Sequence, residues 1–71
     1  MKPKFKIGDI VRVLPITRDP LNMQGRRGKI LGVEYFPSLN GFVYKVEFSK
    51  TKKGLYEENT LKLVRRKMRR H

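Results

Sequence analysis

The amino-acid sequence predicts an all-β domain in which five short antiparallel strands form a strongly bent sheet that closes into a small barrel. Three observations predict this fold class. The apolar residues fall into five short runs, turn-forming residues separate these runs, and no interior segment shows a sustained helical period. The chain has 71 residues, which suffices for one small domain with one core.

The first two strands are predicted on either side of a long loop. Residues 10–14, Ile-Val-Arg-Val-Leu, are rich in β-branched side chains and stop at a proline. Two prolines, an Asp-Pro step and an asparagine interrupt regular structure over residues 15–25, which predicts the loop. The second strand covers residues 28–35. Its apolar residues Ile30 and Val33 are three positions apart, so we expect a bulge at Gly32 to reset the alternation.

The second and third strands are predicted to form a hairpin. The turn between them contains the step Asn40-Gly41, which supplies the positive φ that tight turns require. The third strand, residues 42–48, has the clearest alternation in the chain. The face of this strand that we expect to be core carries Phe42, Tyr44, Val46 and Phe48.

The last part of the chain has two interpretations. In the favoured one, a basic turn leads to short strands at residues 55–57 and 61–64, so that residues 1–64 form the domain and residues 65–71 an Arg/Lys-rich tail. In the other, Leu61, Val64 and Met68 follow a helical spacing, and residues 60–70 form a basic helix.

Two segments resemble the KOW motif of ribosomal and transcription-elongation proteins. Residues 8–13 read Gly-Asp-Ile-Val-Arg-Val, and residues 25–33 read Gly-Arg-Arg-Gly-Lys-Ile-Leu-Gly-Val. In that family a Gly-Asp-x-Val-x-Val strand leads through a loop to a Gly-x-x-Gly-x-Val strand. The resemblance covers residues 5–64 and implies an SH3-like barrel with a 3₁₀ turn at residues 58–60 followed by a last strand. Together with the pattern of strands and charges, it predicts a five-stranded SH3-like barrel with a long first loop and a basic C-terminal tail.

The sequence departs from the compact KOW pattern in its first loop, which is longer and lacks the usual mid-loop glycine. Longer loops of this kind occur in an archaeal and eukaryotic large-subunit ribosomal protein. A similar layout is found in the small barrel subunits of photosystem I and of ferredoxin-thioredoxin reductase, such as the variable chain of the latter, which contact proteins. The resemblance therefore indicates the fold more strongly than the partner.

The chain is strongly basic. It has 18 Lys and Arg against six Asp and Glu, a formal net charge of +12. Residues 65–71 contain five of these cations and no acid, so residues 1–64 keep 13 cations, six acids and a net charge of +7. A positive field of this density attracts polyanions and releases their condensed counterions. Nucleic acid is the partner we expect.

The candidate nucleic-acid-binding residues fall at the start of the second strand, in the later basic turn and in the tail. Arginine in the tail offers planar donors that suit phosphate, and solubility alone does not need an unbroken run of one charge. We expect the tail to be disordered when free and to order on its partner. Whether the other two groups share an end of the barrel stays open. The candidates are Arg26, Arg27, Lys29, Lys50, Lys52, Lys53, Arg65, Arg66, Lys67, Arg69 and Arg70.

Other side chains receive simpler interpretations. Isolated lysines are expected to be solvated charges, namely Lys2, Lys4, Lys6, Lys45 and Lys62. Three aromatic residues near turns or a short strand are candidates for stacking on bases, with packing beneath the long loop as the alternative: Tyr35, Phe36 and Tyr56.

Catalysis, metal binding and cofactors are not expected. The chain has no cysteine, and its one histidine, His71, is the last residue. Glu57 and Glu58 are adjacent, so on a strand they point to opposite faces and cannot act as a pair. Gly25-Arg-Arg-Gly28 lacks the Gly-Lys-Ser/Thr ending of a phosphate loop.

The expected setting is the cytoplasm, without a membrane partner. Apolar runs are three or four residues long, too short for a membrane span or a secretory signal peptide. The leading hypothesis is an accessory protein of a larger nucleoprotein assembly that binds phosphates with low sequence specificity. RNA is favoured over DNA on the resemblance alone. The alternative is a non-catalytic adaptor that docks on a larger enzyme or particle through residues 15–25. A phage or mobile-element origin fits either hypothesis.

Overall fold

The computed structural model describes residues 2–67, and these residues form one antiparallel sheet. Its order is β4-β3-β2-β1-β5, which confirms the all-β class and the five strands, and the arrangement is compatible with a small barrel-like fold. Within the described residues, β4 pairs only with β3, and β5 only with β1. In chain order the elements are β1 (Ile10–Val13), β2 (Arg27–Phe36), a first 3₁₀ turn (Pro37–Leu39), β3 (Gly41–Glu47), β4 (Lys53–Glu57), a second 3₁₀ turn (Glu58–Thr60) and β5 (Leu61–Arg65).

The end of the described chain is a strand and not a helix. β5 pairs with β1, with Leu61 opposite Val13. Leu61 is buried whereas Val64 is exposed, so these two residues do not share the apolar stripe that the helical interpretation needs. The basic helix predicted over residues 60–70 is therefore wrong as far as residue 67. Its remaining residues, together with His71, lie outside the described part of the chain.

The β2–β3 hairpin contains the predicted bulge, and its turn has a positive φ within the predicted Asn-Gly step. Ile30 is opposite Val46 and Gly32 is opposite Lys45, so Leu31 is the extra residue in β2. Its insertion turns both Ile30 and Val33 toward the core. The connection to β3 is a 3₁₀ turn followed by Asn40. Asn40 alone takes a positive φ there, 50°, and Gly41 already belongs to β3.

The core lies on the inner face of the sheet. Phe5 from the N-terminal segment and Met23 from the long loop are buried in it. As predicted, Tyr44 and Val46 are fully buried, while Phe42 and Phe48 pack at its margin. The other buried members of this core are Val11, Val13, Ile30, Tyr56 and Leu61.

Two buried tyrosines attach irregular segments to the sheet. The Tyr44 hydroxyl is hydrogen-bonded to the Glu58 carboxylate and accepts the backbone N–H of Lys4 at 3.0 Å. The Tyr56 hydroxyl donates to Asp19 at 2.6 Å. Although burial alone would raise the pKa of Asp19, hydrogen bonds from Tyr56 and from two backbone N–H groups of the loop lower it. The long loop is thus held against β4 by an ionised carboxylate.

Stability is expected to fall as the pH rises above about 10. Burial and the hydrogen bond to Glu58 raise the pKa of Tyr44 to about 12, and burial and the bond to Asp19 raise the pKa of Tyr56. Because both phenols ionise more readily in the unfolded chain, their contribution is complete below the ordinary pKa of 10.0 and is lost as the pH rises from there to about 12 for Tyr44. Urea unfolding between about pH 8 and pH 11 should show a steeper loss for the unmodified protein than for Tyr44→Phe or Tyr56→Phe. Parallel losses in all three proteins would contradict this.

Candidate nucleic-acid interface

Cations from three neighbouring strands lie side by side on the outer face of the sheet. Arg12 on β1 is directly opposite Arg27 on β2 and directly opposite Lys62 on β5. Directly opposed residues project from the same face, and neighbouring strands are about 5 Å apart. All three side chains are exposed, while Val11 and Val13 on either side of Arg12 are buried. These three cations form the first row of the site.

A second row lies two residues further along the strands, about 7 Å away. In it, Lys29 is opposite both Ile10 and Glu47. Ile10 is opposite Arg65, and Glu47 is opposite Lys53, whose Nζ lies 3.9 Å from Glu47 Oε2. The six cations of both rows are termed the cationic face: Arg12, Arg27, Lys29, Lys53, Lys62 and Arg65.

The basic turn lies at the same end of the sheet. β3 runs antiparallel to β2, so the turn that follows β3 lies beside the start of β2. Lys50 and Lys52 are exposed in this turn, and Arg26 is exposed immediately before β2. The candidates at the start of β2 and those in the basic turn therefore lie at the same end of the sheet. The sequence had left their relative position open.

The beginning of the predicted tail is attached to the sheet. Arg65 belongs to β5. The backbone N–H of Lys67 donates to Asp9 Oδ1 at 2.9 Å, and Arg66 Nη1 lies 3.8 Å from Asp9 Oδ2. The Lys67 and Lys29 side chains also line one shallow pocket. The described chain is therefore bonded to the rest of the fold as far as residue 67, three residues beyond residue 64. The candidates Arg69 and Arg70 lie outside the described residues.

Apart from Glu47, the acidic side chains lie away from the cationic face or accept hydrogen bonds from within the fold. Glu34 and Glu57 lie opposite Val43, toward the other end of the sheet. Asp9 and Asp19 accept hydrogen bonds from within the chain. Glu47 is the one acid in the two rows, where a lysine on each neighbouring strand is opposite it.

The candidate stacking residues do not lie on the cationic face. Tyr56 is only 6% exposed and its ring packs edge-to-face against Phe48, so exposure is wrong for it and packing beneath the long loop is what occurs. Tyr35 is exposed, but its ring packs against Phe42 at 5.2 Å. It lies with the half-buried Phe36 at the far end of β2, about 26 Å along the strand from Arg27.

Arg12 and Lys62 belong to the cationic face although the sequence pattern did not single them out. Lys62 was expected to be a solvated charge, and Arg12 stands alone in a β-branched run. The alternation of β1 predicts that Arg12 points away from the core. The cations opposite it are 15 and 50 residues away along the chain, which no local pattern reveals.

Within residues 2–67, no helix is long and apolar enough to cross a membrane. No group of three or more His, Cys, Asp or Glu in the same range is placed to hold a metal ion. Comparison of the chain with protein-family models, with curated proteins and with solved structures found no match.

Proposed function

We propose that the cationic face binds the phosphate backbone of a nucleic acid, and that the protein is a non-catalytic accessory component of a nucleoprotein assembly. One observation carries this proposal: Arg12 lies between Arg27 and Lys62, each directly opposite it. Like charges in directly opposed positions destabilise a sheet. A polyanion laid across this row would replace the mutual repulsion of three cations with attraction to phosphate.

The surroundings of the row support backbone recognition with low sequence specificity. Lys50, Lys52 and Arg26 extend the positive charge at the same end of the sheet. Tyr35 and Phe36, the stacking candidates with exposed area, lie at the other end. Contacts to phosphate position a protein without distinguishing bases. The resemblance of residues 5–64 to KOW domains supports an SH3-like barrel and favours RNA over DNA.

A salt titration tests the proposal. Affinity for an RNA duplex, a DNA duplex and a single-stranded RNA of generic sequence is measured between about 50 and 300 mM salt. Each neutralised phosphate contributes about −0.9 to the slope of log affinity against log salt on duplex DNA and about −0.7 on single strands. Engagement of all six cations of the cationic face therefore predicts a slope of about −5 on the DNA duplex.

Other outcomes of the titration are equally informative. A flat line, or no binding at the lowest salt, would contradict the proposal and leave the adaptor hypothesis ahead. Equal affinities for RNA and DNA duplexes would retain phosphate binding and remove the preference for RNA. Large differences among sequences of equal length would contradict recognition through the backbone alone.

A further inference from the structure

β4 is an edge strand with a self-complementary sequence, Lys-Gly-Leu-Tyr-Glu. The backbone N–H of Phe48 donates to the carbonyl of Lys52 at 2.8 Å, so Phe48 and Lys52 are a hydrogen-bonded pair. In an antiparallel ladder such pairs alternate with pairs that are not hydrogen-bonded, and the next pair along β3 and β4, Glu47 with Lys53, is of the second kind. Lys53, Leu55 and Glu57 consequently direct their backbone groups away from β3. Within residues 2–67, no loop or turn is hydrogen-bonded to the backbone of Leu55. Its side chain is 69% exposed.

We propose that this edge is the docking site of a second copy of the chain, with the two β4 strands antiparallel about a twofold axis at Leu55. Lys53 then lies opposite the partner's Glu57, and Glu57 opposite the partner's Lys53. The two Leu55 side chains face each other. A twofold axis at residue 54 or 56 aligns the same outward backbone groups but brings no opposite charges together. Charge complementarity therefore selects the register.

The surface beside β4 suits this occupant. A groove of about 350 Å³ is lined by residues 17–20 of the long loop and by residues 55–57 of β4. Its lining includes Phe36, Val43 and Leu55, which offer apolar contacts to the partner's Leu55. An exposed edge strand with an apolar side chain at its centre is a ready template for pairing with another strand.

The arrangement also separates the charges of the two copies. The cationic face lies toward the end of the sheet where β4 begins, so antiparallel pairing places the two faces at opposite ends of the dimer. Each chain carries +12, and salt screens their repulsion. Dimerisation therefore strengthens with salt, whereas binding to nucleic acid weakens. A pairing of five residues is smaller than standard interfaces of about 1,200–2,000 Å², so the dimer forms at high protein concentration, on the order of 100 μM.

Cross-linking at the axis tests the register. The chain has no cysteine, so Leu55→Cys introduces a single thiol. In the proposed register the two Cα atoms of residue 55 are about 5.5 Å apart, a separation that a disulfide spans. Under mild oxidation at about 100 μM protein and 0.5 M salt, Leu55→Cys should form covalent dimers at least about tenfold faster than Val64→Cys. Val64 is exposed on β5, the other edge strand, and reports random collision. Equal rates would overturn the proposal.

Charge reversal tests complementarity without covalent chemistry. Glu57→Lys places a lysine opposite each Lys53 and should weaken dimerisation about tenfold in sedimentation equilibrium at 0.5 M salt. In a Glu47→Gln background, which keeps residue 53 from facing a like charge on β3, the double variant Lys53→Glu/Glu57→Lys restores opposite charges across the axis and should recover dimerisation. A monomer at every concentration, or no recovery in the double variant, would overturn the proposal. Because no nucleic acid is present, these results are independent of the titration above: a monomer that binds RNA refutes only the dimer, and a dimer that does not bind RNA refutes only the proposed function.

Discussion

Replacing Arg12 and Arg27 together with glutamine is expected to weaken binding to a DNA duplex about 60-fold at 0.1 M salt. Each phosphate contact releases nearly one condensed counterion, which is worth about eightfold at that salt, and the variant removes two contacts. The slope of log affinity against log salt should flatten by about 1.8. The double variant should also unfold at the same or a higher temperature, because it removes like charges from directly opposed positions.

A matched variant separates a local interface from attraction by net charge. Lys4→Gln/Arg18→Gln also removes two exposed cations, but both lie outside the cationic face. The backbone of Lys4 is hydrogen-bonded to Glu58, and Arg18 lies in the long loop beside Thr60. We expect this variant to lose less than about threefold in affinity. If both double variants lost the same affinity, the cationic face would be no more than part of a diffuse positive surface.

Replacing Asp9 with alanine is expected to lower the free energy of unfolding by about 2–4 kcal/mol. Asp9 is 3% exposed, and its carboxylate accepts the backbone N–H groups of Lys6 and Lys67, each at 2.9 Å. The substitution removes two part-buried hydrogen bonds to a charged acceptor. Hydrogen bonds to charged groups contribute about 1.5–3 kcal/mol each, and less where water reaches the donor. A chain of this length has only about 4–10 kcal/mol of total stability, so the loss is readily measured by urea unfolding.

Two further variants separate the contribution of the hydrogen bonds of Asp9 from that of its ion pair with Arg66. Asp9→Asn keeps one oxygen acceptor and should lose about half as much as Asp9→Ala. Arg66→Gln removes only the ion pair, whose arginine side chain is 63% exposed, and should cost less than about 1 kcal/mol. Faster hydrogen exchange at the Lys67 amide in Asp9→Ala would show that the carboxylate holds the end of the described chain against the sheet. An Asp9→Ala variant as stable as the unmodified protein would contradict this role.

The strands could be predicted because their signals are local. β-Branched residues and a proline delimited β1 to within one residue, and the alternation of β3 correctly placed Tyr44 and Val46 in the core. β4 begins two residues before its predicted start, at Lys53. That extension depends on the pairing of Lys53 with Glu47 and not on its own propensity, since lysine and glycine are poor strand formers.

The candidate site could be predicted only in part. Arg27 and Lys29 were recognised from the charge that precedes an apolar run, but Tyr56 was interpreted as a possible stacking residue. Its hydrogen-bond partner, Asp19, is 37 residues away along the chain, so no pattern around Tyr56 could reveal that the long loop covers it. The position of Arg65 in a strand likewise depends on its pairing with Ile10.

Composition and alternation were enough to show that this is a basic, all-β chain, because both properties belong to single residues or to neighbours along one strand. The place of Arg12 in a row of cations depends on the pairing of β1 with β2 on one side and with β5 on the other. A register shift of one residue would turn Arg27 or Lys62 to the opposite face and leave Arg12 a solvated charge. Long-range strand pairing, which no local propensity specifies, is what converts three separate cations into one row.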